Sequence, residues 1–258
     1  MSRIVTAAAI LIGDEILSGR TQDTNLKTMA DFLNPLGVDV REARVIPDVH
    51  GVIVSTVREM ARAYNYVFTT GGIGPTHDDI TADAIAEAFG RTIGVREDAL
   101  AILRPWYEAR GQELNEGRLR MARIPEGADL IHNPVSAAPG FRVGNVFVMA
   151  GVPAVMRGML EDVGRRIEGG AVVHSRTVRA AGVREGDIAA PLGELAKARP
   201  EVNFGSYPWM RPKGAEVEFG VSLVARSRDT DLVAASVAAL EEIVRAQGGA
   251  PEIDPDRN

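Results

Sequence analysis

Residues 3–13, RIVTAAAILIG, form a nearly unbroken apolar run, the pattern of a strand buried on both faces of a parallel sheet. Leu26, Met29, Ala30 and Leu33 follow at helical spacing, with Asp23 or Thr24 placed to cap the helix. Pro35 and Gly37 end it. GVDVREARVI reads as a second strand, Ile53, Val57, Met60 and Ala61 as a helical stripe, and YVFTT as a third strand. A glycine-rich turn then leads to a helix with Ala84, Ile85, Ala88 and Phe89 facing inward. Strands alternating with helices of this length predict right-handed βαβ units in a doubly wound α/β sheet.

From Arg96 to Ala122 the pattern is helical, with breaks expected near Pro105 and Gly111. ADLIHN and NVFVMAG read as two more strands, the second central by its apolarity. Pro153 suits the first turn of a helix reaching about Arg166. EGGA makes a joint, so the expected boundary lies near Gly169 and Gly170, with one domain over 1–168 and a small α+β domain over 171–248. In the second, VVHSRTVRAAG and EVNFGSYP read as strands around a short helix, GDIAAPLGELAKA. Val217, Phe219, Val221 and Leu223 then alternate on one face of a further strand, as in a sheet solvated on one side. Val233, Val237, Leu240 and Val244 stripe a closing helix, and residues 249–258 are expected to be a flexible tail.

Composition narrows the classes. The net charge of −6 argues against nucleic acid as a partner. The absence of cysteine removes disulfides, thiolate nucleophiles and cysteine-based zinc sites. No apolar run reaches the length of a membrane span, and the N-terminal run meets Asp14 too soon for a signal peptide. A cytoplasmic protein without membrane partners is the expectation. His50, His77, His132 and His174 lack metal-ligand spacing, and no G-x-S-x-G elbow is present.

The chemistry concentrates in four loops. In TTGGIGPTHDD, Thr70, Gly71, Gly72, Gly74, Pro75 and Thr76 follow a strand and precede Asp78, Asp79 and a helix. Such a turn presents main-chain N–H groups to an anion at the carboxyl edge of a sheet. The two aspartates repel a bare phosphate but suit one that carries a divalent cation such as Mg²⁺. The competing reading is capping, because Thr76 and Asp79 have capping-box spacing and acid is favoured in a first turn. IGDEILSGRTQDTN adds Glu15, Ser18, Gly19 and Asn25 after the first strand, where the alternative is a polar βα loop. Asp48 follows the second strand, in a position also common for a turn residue. HNPVSAAPG supplies Asn133, Pro134, Ser136, Ala137, Pro139 and Gly140 in a close-packed loop. All four follow or join strands near the carboxyl edge of the sheet, so they are expected to converge on one crevice. Arg118, Arg120 and Arg123 belong to a segment that presents either a solvated helix face or a phosphate ligand. Ser206-Tyr207-Pro208-Trp209 reads as core or interface rather than a base-stacking platform.

GDEILSGRTQDTN, TTGGIGPTHDDITADAIAEAFG, NPVSAAPGF and AGVPAVMRGML stand in the order and spacing of one family. Residues 3–168 resemble the CinA-like branch of the molybdopterin-binding (MoCF-biosynthesis) domain family. The small domain resembles the one that trails it in CinA proteins and related nucleotide hydrolases. The resemblance implies a three-layer, mostly parallel sheet between helices, and a homo-oligomer. It implies a phosphorylated small molecule as ligand, either a pterin, bound or adenylylated, or a dinucleotide such as ADP-ribose, cleaved at its pyrophosphate with a divalent metal ion. By motif match the catalytic carboxylates are Asp48 and Asp79, and Asp78, Glu15, Ser18 and Asn25 fall in the ligand crevice; a divalent metal is expected at Asp78 and Asp79. The usual P-V-G-T-A-P-G is here Pro134-Val135-Ser136-Ala137-Ala138-Pro139-Gly140, and the usual P-G-V-P is Ala150-Gly151-Val152-Pro153. These departures bear on substrate and turnover, which leaves a non-catalytic binding module as a third reading. The nicotinamide-nucleotide amidase domain of full-length CinA has no counterpart in the 258 residues, so that activity is expected to be missing.

Overall fold

The computed structural model describes residues 3–214 and 216–254. The chain divides into two units, Met1–Ala171 and Val172–Asn258.

In the first unit, β1 (Val5–Ile12), α1 (Asp14–Leu17), α2 (Asn25–Leu33), β2 (Val38–Ile46), α3 (His50–Ala63), β3 (Tyr66–Thr70) and α4 (Thr81–Ala88) come in that order. A short antiparallel pair, β4 (Ile93–Val95) and β5 (Arg123–Pro125), brackets α5 (Glu97–Glu108) and α6 (Glu116–Arg120). β6 (Asp129–Ile131), β7 (Gly140–Val143), β8 (Val146–Met149) and α7 (Pro153–Gly164) complete it. The main sheet has the order β2-β1-β3-β8-β7-β6. β2, β1, β3 and β8 run parallel, and β7 and β6 add an antiparallel edge. The fold is therefore α/β with a mostly parallel sheet.

β1 reads as a continuous apolar run because it is buried on both faces. Ala8, Ile10 and Ile12 pack with α3, α4 and α5, whereas Ala7, Ala9 and Leu11 pack with α2 and α7. Stacked Phe68 and Phe147, 5.2 Å between centroids, fill the second layer beneath β3 and β8. The expected break at Pro105 does not occur. The helix runs through it to Glu108, since the proline forfeits one N–H bond while Ala109 still donates to the Pro105 carbonyl at 3.0 Å. The chain turns instead at Gly111, at φ +62°.

The second unit contains β9 (His174–Ala181), α8 (Glu185–Ala198), β10 (Asn203–Lys213), β11 (Glu216–Ser227), α9 (Thr230–Ala246) and β12 (Pro251–Ile253). Its antiparallel sheet, ordered β10-β11-β9-β12, carries both helices on one face, over Val178, Ala180, Val221, Leu223 and Ala225. This βαββαβ arrangement is ferredoxin-like. Residues 249–258 are not simply a loose tail. Pro251–Ile253 pair with β9, and Asp254 donates its N–H to the Thr177 carbonyl at 3.0 Å. Residues 255–258 lie outside the described residues. Among the described residues no helix is long and apolar enough to cross a membrane.

Candidate functional site

The carboxyl ends of β1, β2, β3 and β8 share one edge of the parallel sheet, and three of the four loops meet there directly. Gly13 donates its N–H to the Ile46 carbonyl at 3.1 Å, and Asp14 donates its N–H to Asp48 Oδ2 at 2.9 Å. The loops after β1 and β2 are thereby joined. Gly71 donates its N–H to the Met149 carbonyl at 3.2 Å, while Asn25 Nδ2 donates to the Gly151 carbonyl at 2.8 Å.

The turn after β3 needs its glycines. Gly71 has φ +106° and a Cβ there would lie 2.1 Å from the Ile12 carbonyl oxygen, while at Gly72, φ +66°, it would lie 2.1 Å from Thr81 Oγ1. Gly74 serves another purpose: a Cβ there would stand 2.7 Å from Asp79 Oδ2. The Asp79 carboxylate thus occupies the space beside Gly74, as the Glu15 carboxylate does beside Gly13. Among the described residues, the N–H groups of Gly72, Ile73 and Gly74 have no hydrogen-bond partner.

Asp79 does not cap the following helix. Its Oδ2 accepts from the Thr76 N–H at 2.8 Å and from the Thr76 hydroxyl at 2.5 Å, whereas α4 begins at Thr81 behind Ile80. The capping-box spacing serves a turn inside the loop instead. The Asp78 carboxyl is held below its ordinary pKa by the same Thr76 hydroxyl, whose one proton is shared with Asp79, and by the Asp78 N–H and the charges of His77 and Arg120. Asp48 is shifted the other way. Burial raises its pKa, the Asp14 N–H opposes this, and the negative charges of Asp14, Glu15 and Asp78 add to the rise. Asp48 and Asp78 therefore differ in proton affinity across one crevice. Among the described residues no three acidic or histidine side chains converge as a metal cage.

The loop between β6 and β7 is built mainly from within. Asn133 is buried, its Nδ2 donates to Ser136 Oγ (2.7 Å) and the Ala138 carbonyl (2.8 Å), and its Oδ1 accepts from the N–H groups of Val135 and Ser136. Pro134 packs on Gly158 of α7, and Gly140 belongs to β7, where a Cβ would lie 2.5 Å from the Val148 carbonyl. Ala137 takes φ +61°, the one non-glycine residue in the left-handed region among the described residues. Pro139 alone of this loop lines the concavity formed with Gly72, Gly74, Asp79, Asp83, Arg120 and Arg123. Ser18 donates its hydroxyl to the Glu15 carbonyl at 3.3 Å, and Gly19 turns the loop at φ +71°. Asn25 is buried at 4% exposure, yet its Oδ1 has no partner, so an acceptor is left over near the sheet edge.

The three arginines separate cleanly. Arg118 lies over the Tyr107 ring at 4.5 Å and donates to the Glu113 carbonyl. Arg123 forms a two-bond fork with Asp83, at 2.6 and 3.1 Å. Arg120 enters the concavity, where its Nη2 donates to the Asp79 carbonyl at 3.1 Å. No sequence signal distinguished it from its neighbours.

Comparison with known proteins bears on the family and the fold. Residues 8–168 match the probable molybdopterin binding domain, and residues 172–250 match the middle domain of FAD synthase. A protein of Archaeoglobus fulgidus is 35% identical over 235 residues, which cover 91% of this chain and 96% of that one. A CinA-like protein of Gemmatimonas aurantiaca is 38% identical over 200 residues, covering 73% of this chain and 47% of its own length. The crystal structure of CinA from Thermoplasma acidophilum is 36% identical, with a TM-score of 0.58, over 62% of this chain and 96% of that one.

Proposed function

Because the chain belongs to the molybdopterin-binding domain family, in its CinA-like branch, we propose that it binds a phosphorylated dinucleotide at the carboxyl edge of the six-stranded sheet and hydrolyses its pyrophosphate bond. The observation that carries this reading is the pairing of three unpartnered N–H groups, at Gly72, Ile73 and Gly74, with carboxylates of opposed pKa shifts at Asp48 and Asp78. The N–H groups suit the non-bridging oxygens of a phosphate.

Hydrolysis joins a water oxygen to one phosphorus, breaks the bridging P–O bond and leaves two phosphomonoesters. The water loses a proton as the new bond forms. Asp48 is suited to accept it, because its raised pKa makes it a better base and the Asp14 N–H orients Oδ2. Asp78, held ionised and exposed, and the Oδ1 atom of Asp79 fit a divalent cation that arrives with the phosphate, since Mg²⁺ takes one or two carboxylates and draws its remaining ligands from phosphate and water. Such a cation supplies charge neutralisation on the phosphate and lowers the pKa of water. ADP-ribose is the first candidate substrate, and FAD joins it because of the match of residues 172–250.

A second reading is favoured by the family match itself, namely molybdopterin binding or adenylyl transfer in the same crevice. A panel of ADP-ribose, FAD, other dinucleotides and molybdopterin, screened for binding and hydrolysis with several divalent metals, separates the two. Hydrolysis of a dinucleotide supports the first. Molybdopterin binding with no dinucleotide turnover supports the second.

A further inference from the structure

The proposed site has an electrostatic gap: Asp79 lies beside Gly74 of the glycine turn, and Asp48 feels the negative charges of Asp14, Glu15 and Asp78. Among the described residues, Arg120 is the cation in the concavity that makes no close ion pair, although its charge reaches Asp78, whereas Arg123 is occupied by Asp83. Its placement is firm. α6 ends at Arg120, and the Nη2–Asp79 carbonyl bond of 3.1 Å ties the guanidinium to the loop that carries the glycine turn. Its Nε is buried without a hydrogen-bond partner. A guanidinium bound through one nitrogen to a carbonyl keeps further donors in its rigid fork, and that fork matches phosphate oxygens.

We infer that Arg120 is the resident anion-binding cation of this site, clamping a phosphate of the ligand against the free N–H groups of Gly72, Ile73 and Gly74. This rests on the proposed ligand class but not on the proposed metal. With Arg120 in place, a phosphate meets positive charge and N–H donors before any divalent ion is counted. The tether to the Asp79 carbonyl also couples ligand binding to the loop that carries Asp78 and Asp79. Arg120 touches the ligand phosphate directly here and takes no part in proton transfer.

The test is calorimetric binding of ADP-ribose and of inorganic pyrophosphate, each measured in EDTA and again with Mg²⁺, for the wild type, Arg120→Gln and Arg120→Lys. Glutamine keeps a donor for the Asp79 carbonyl and loses the charge, whereas lysine keeps the charge and loses the fork. Thermal melting verifies that each variant is folded. The expected result is binding by the wild type in EDTA, a loss of at least about tenfold in affinity for Arg120→Gln, and partial recovery for Arg120→Lys. In turnover, Arg120→Gln should raise KM more than it lowers kcat. Unchanged affinity in folded Arg120→Gln overturns the inference. Wild-type binding that appears only with Mg²⁺ also overturns it, while leaving the proposed function standing. Absence of binding under both conditions overturns both.

Discussion

Asp48 Oδ2 accepts a 2.9 Å hydrogen bond from the main-chain N–H of Asp14, so the carboxylate after β2 fixes the start of the loop after β1. Burial and three neighbouring carboxylates nevertheless raise the Asp48 pKa. An acid whose folded-state pKa is raised supports folding while it is protonated, and that support is lost as pH rises through the raised value. An asparagine side chain in its place would keep an acceptor for the Asp14 N–H and remove the charge. Asp48→Asn is therefore expected to gain melting temperature relative to wild type as pH increases from about 4 to about 7. A melting difference that shrinks over this range contradicts the assignment. Turnover by the wild type should fall on the acid side, as Asp48 takes up its proton.

Gly71 lies in the left-handed half of the map with the Ile12 carbonyl oxygen where a Cβ would stand, at 2.1 Å. Both backbone strain and overlap with a buried strand oppose a side chain there. Gly71→Ala should lose at least about 2 kcal/mol in urea unfolding, or fail to fold. Gly51, where nothing lies within 4 Å of the same construction, provides the control, and Gly51→Ala should be neutral or slightly stabilising because it lies in α3.

Ala137 and Asn133 make opposite predictions in one loop. Ala137 holds φ +61°, which glycine adopts without strain, so Ala137→Gly should stabilise the first unit by about 0.5–1 kcal/mol. Asn133 makes four hydrogen bonds inside the loop, and Asn133→Ala should cost roughly 2–4 kcal/mol. Chemical denaturation of both variants checks the signs. A stabilised Asn133→Ala would show that the loop is held by something else.

The parallel core was legible because burial on both faces leaves its mark on β1, β3 and β8 as apolar runs. β7 was not, since GFRV is short, starts at a glycine after a proline-rich loop and becomes a strand only by pairing with β8. β12 hides for a similar reason, because Pro-Glu-Ile has no local strand signal and is ordered by β9. At the site, the glycine turn and its acids could be read directly. The sequence could not show that Asp79 bends back to Thr76 instead of capping α4, because three-residue spacing serves both. Nor could it choose among Arg118, Arg120 and Arg123, whose partners Tyr107, Asp79 and Asp83 come from different distances along the chain.

The most direct test of pyrophosphate cleavage at this site is hydrolysis of ADP-ribose with Mg²⁺ by the wild type and by Asp79→Asn, with melting curves run in parallel. Asparagine retains one acceptor for the Thr76 N–H and hydroxyl, so the loop is expected to keep its shape while losing the charge. The expected result is turnover by the wild type and none by a normally folded Asp79→Asn. An Asp79→Asn enzyme that folds and hydrolyses ADP-ribose at the wild-type rate would contradict it.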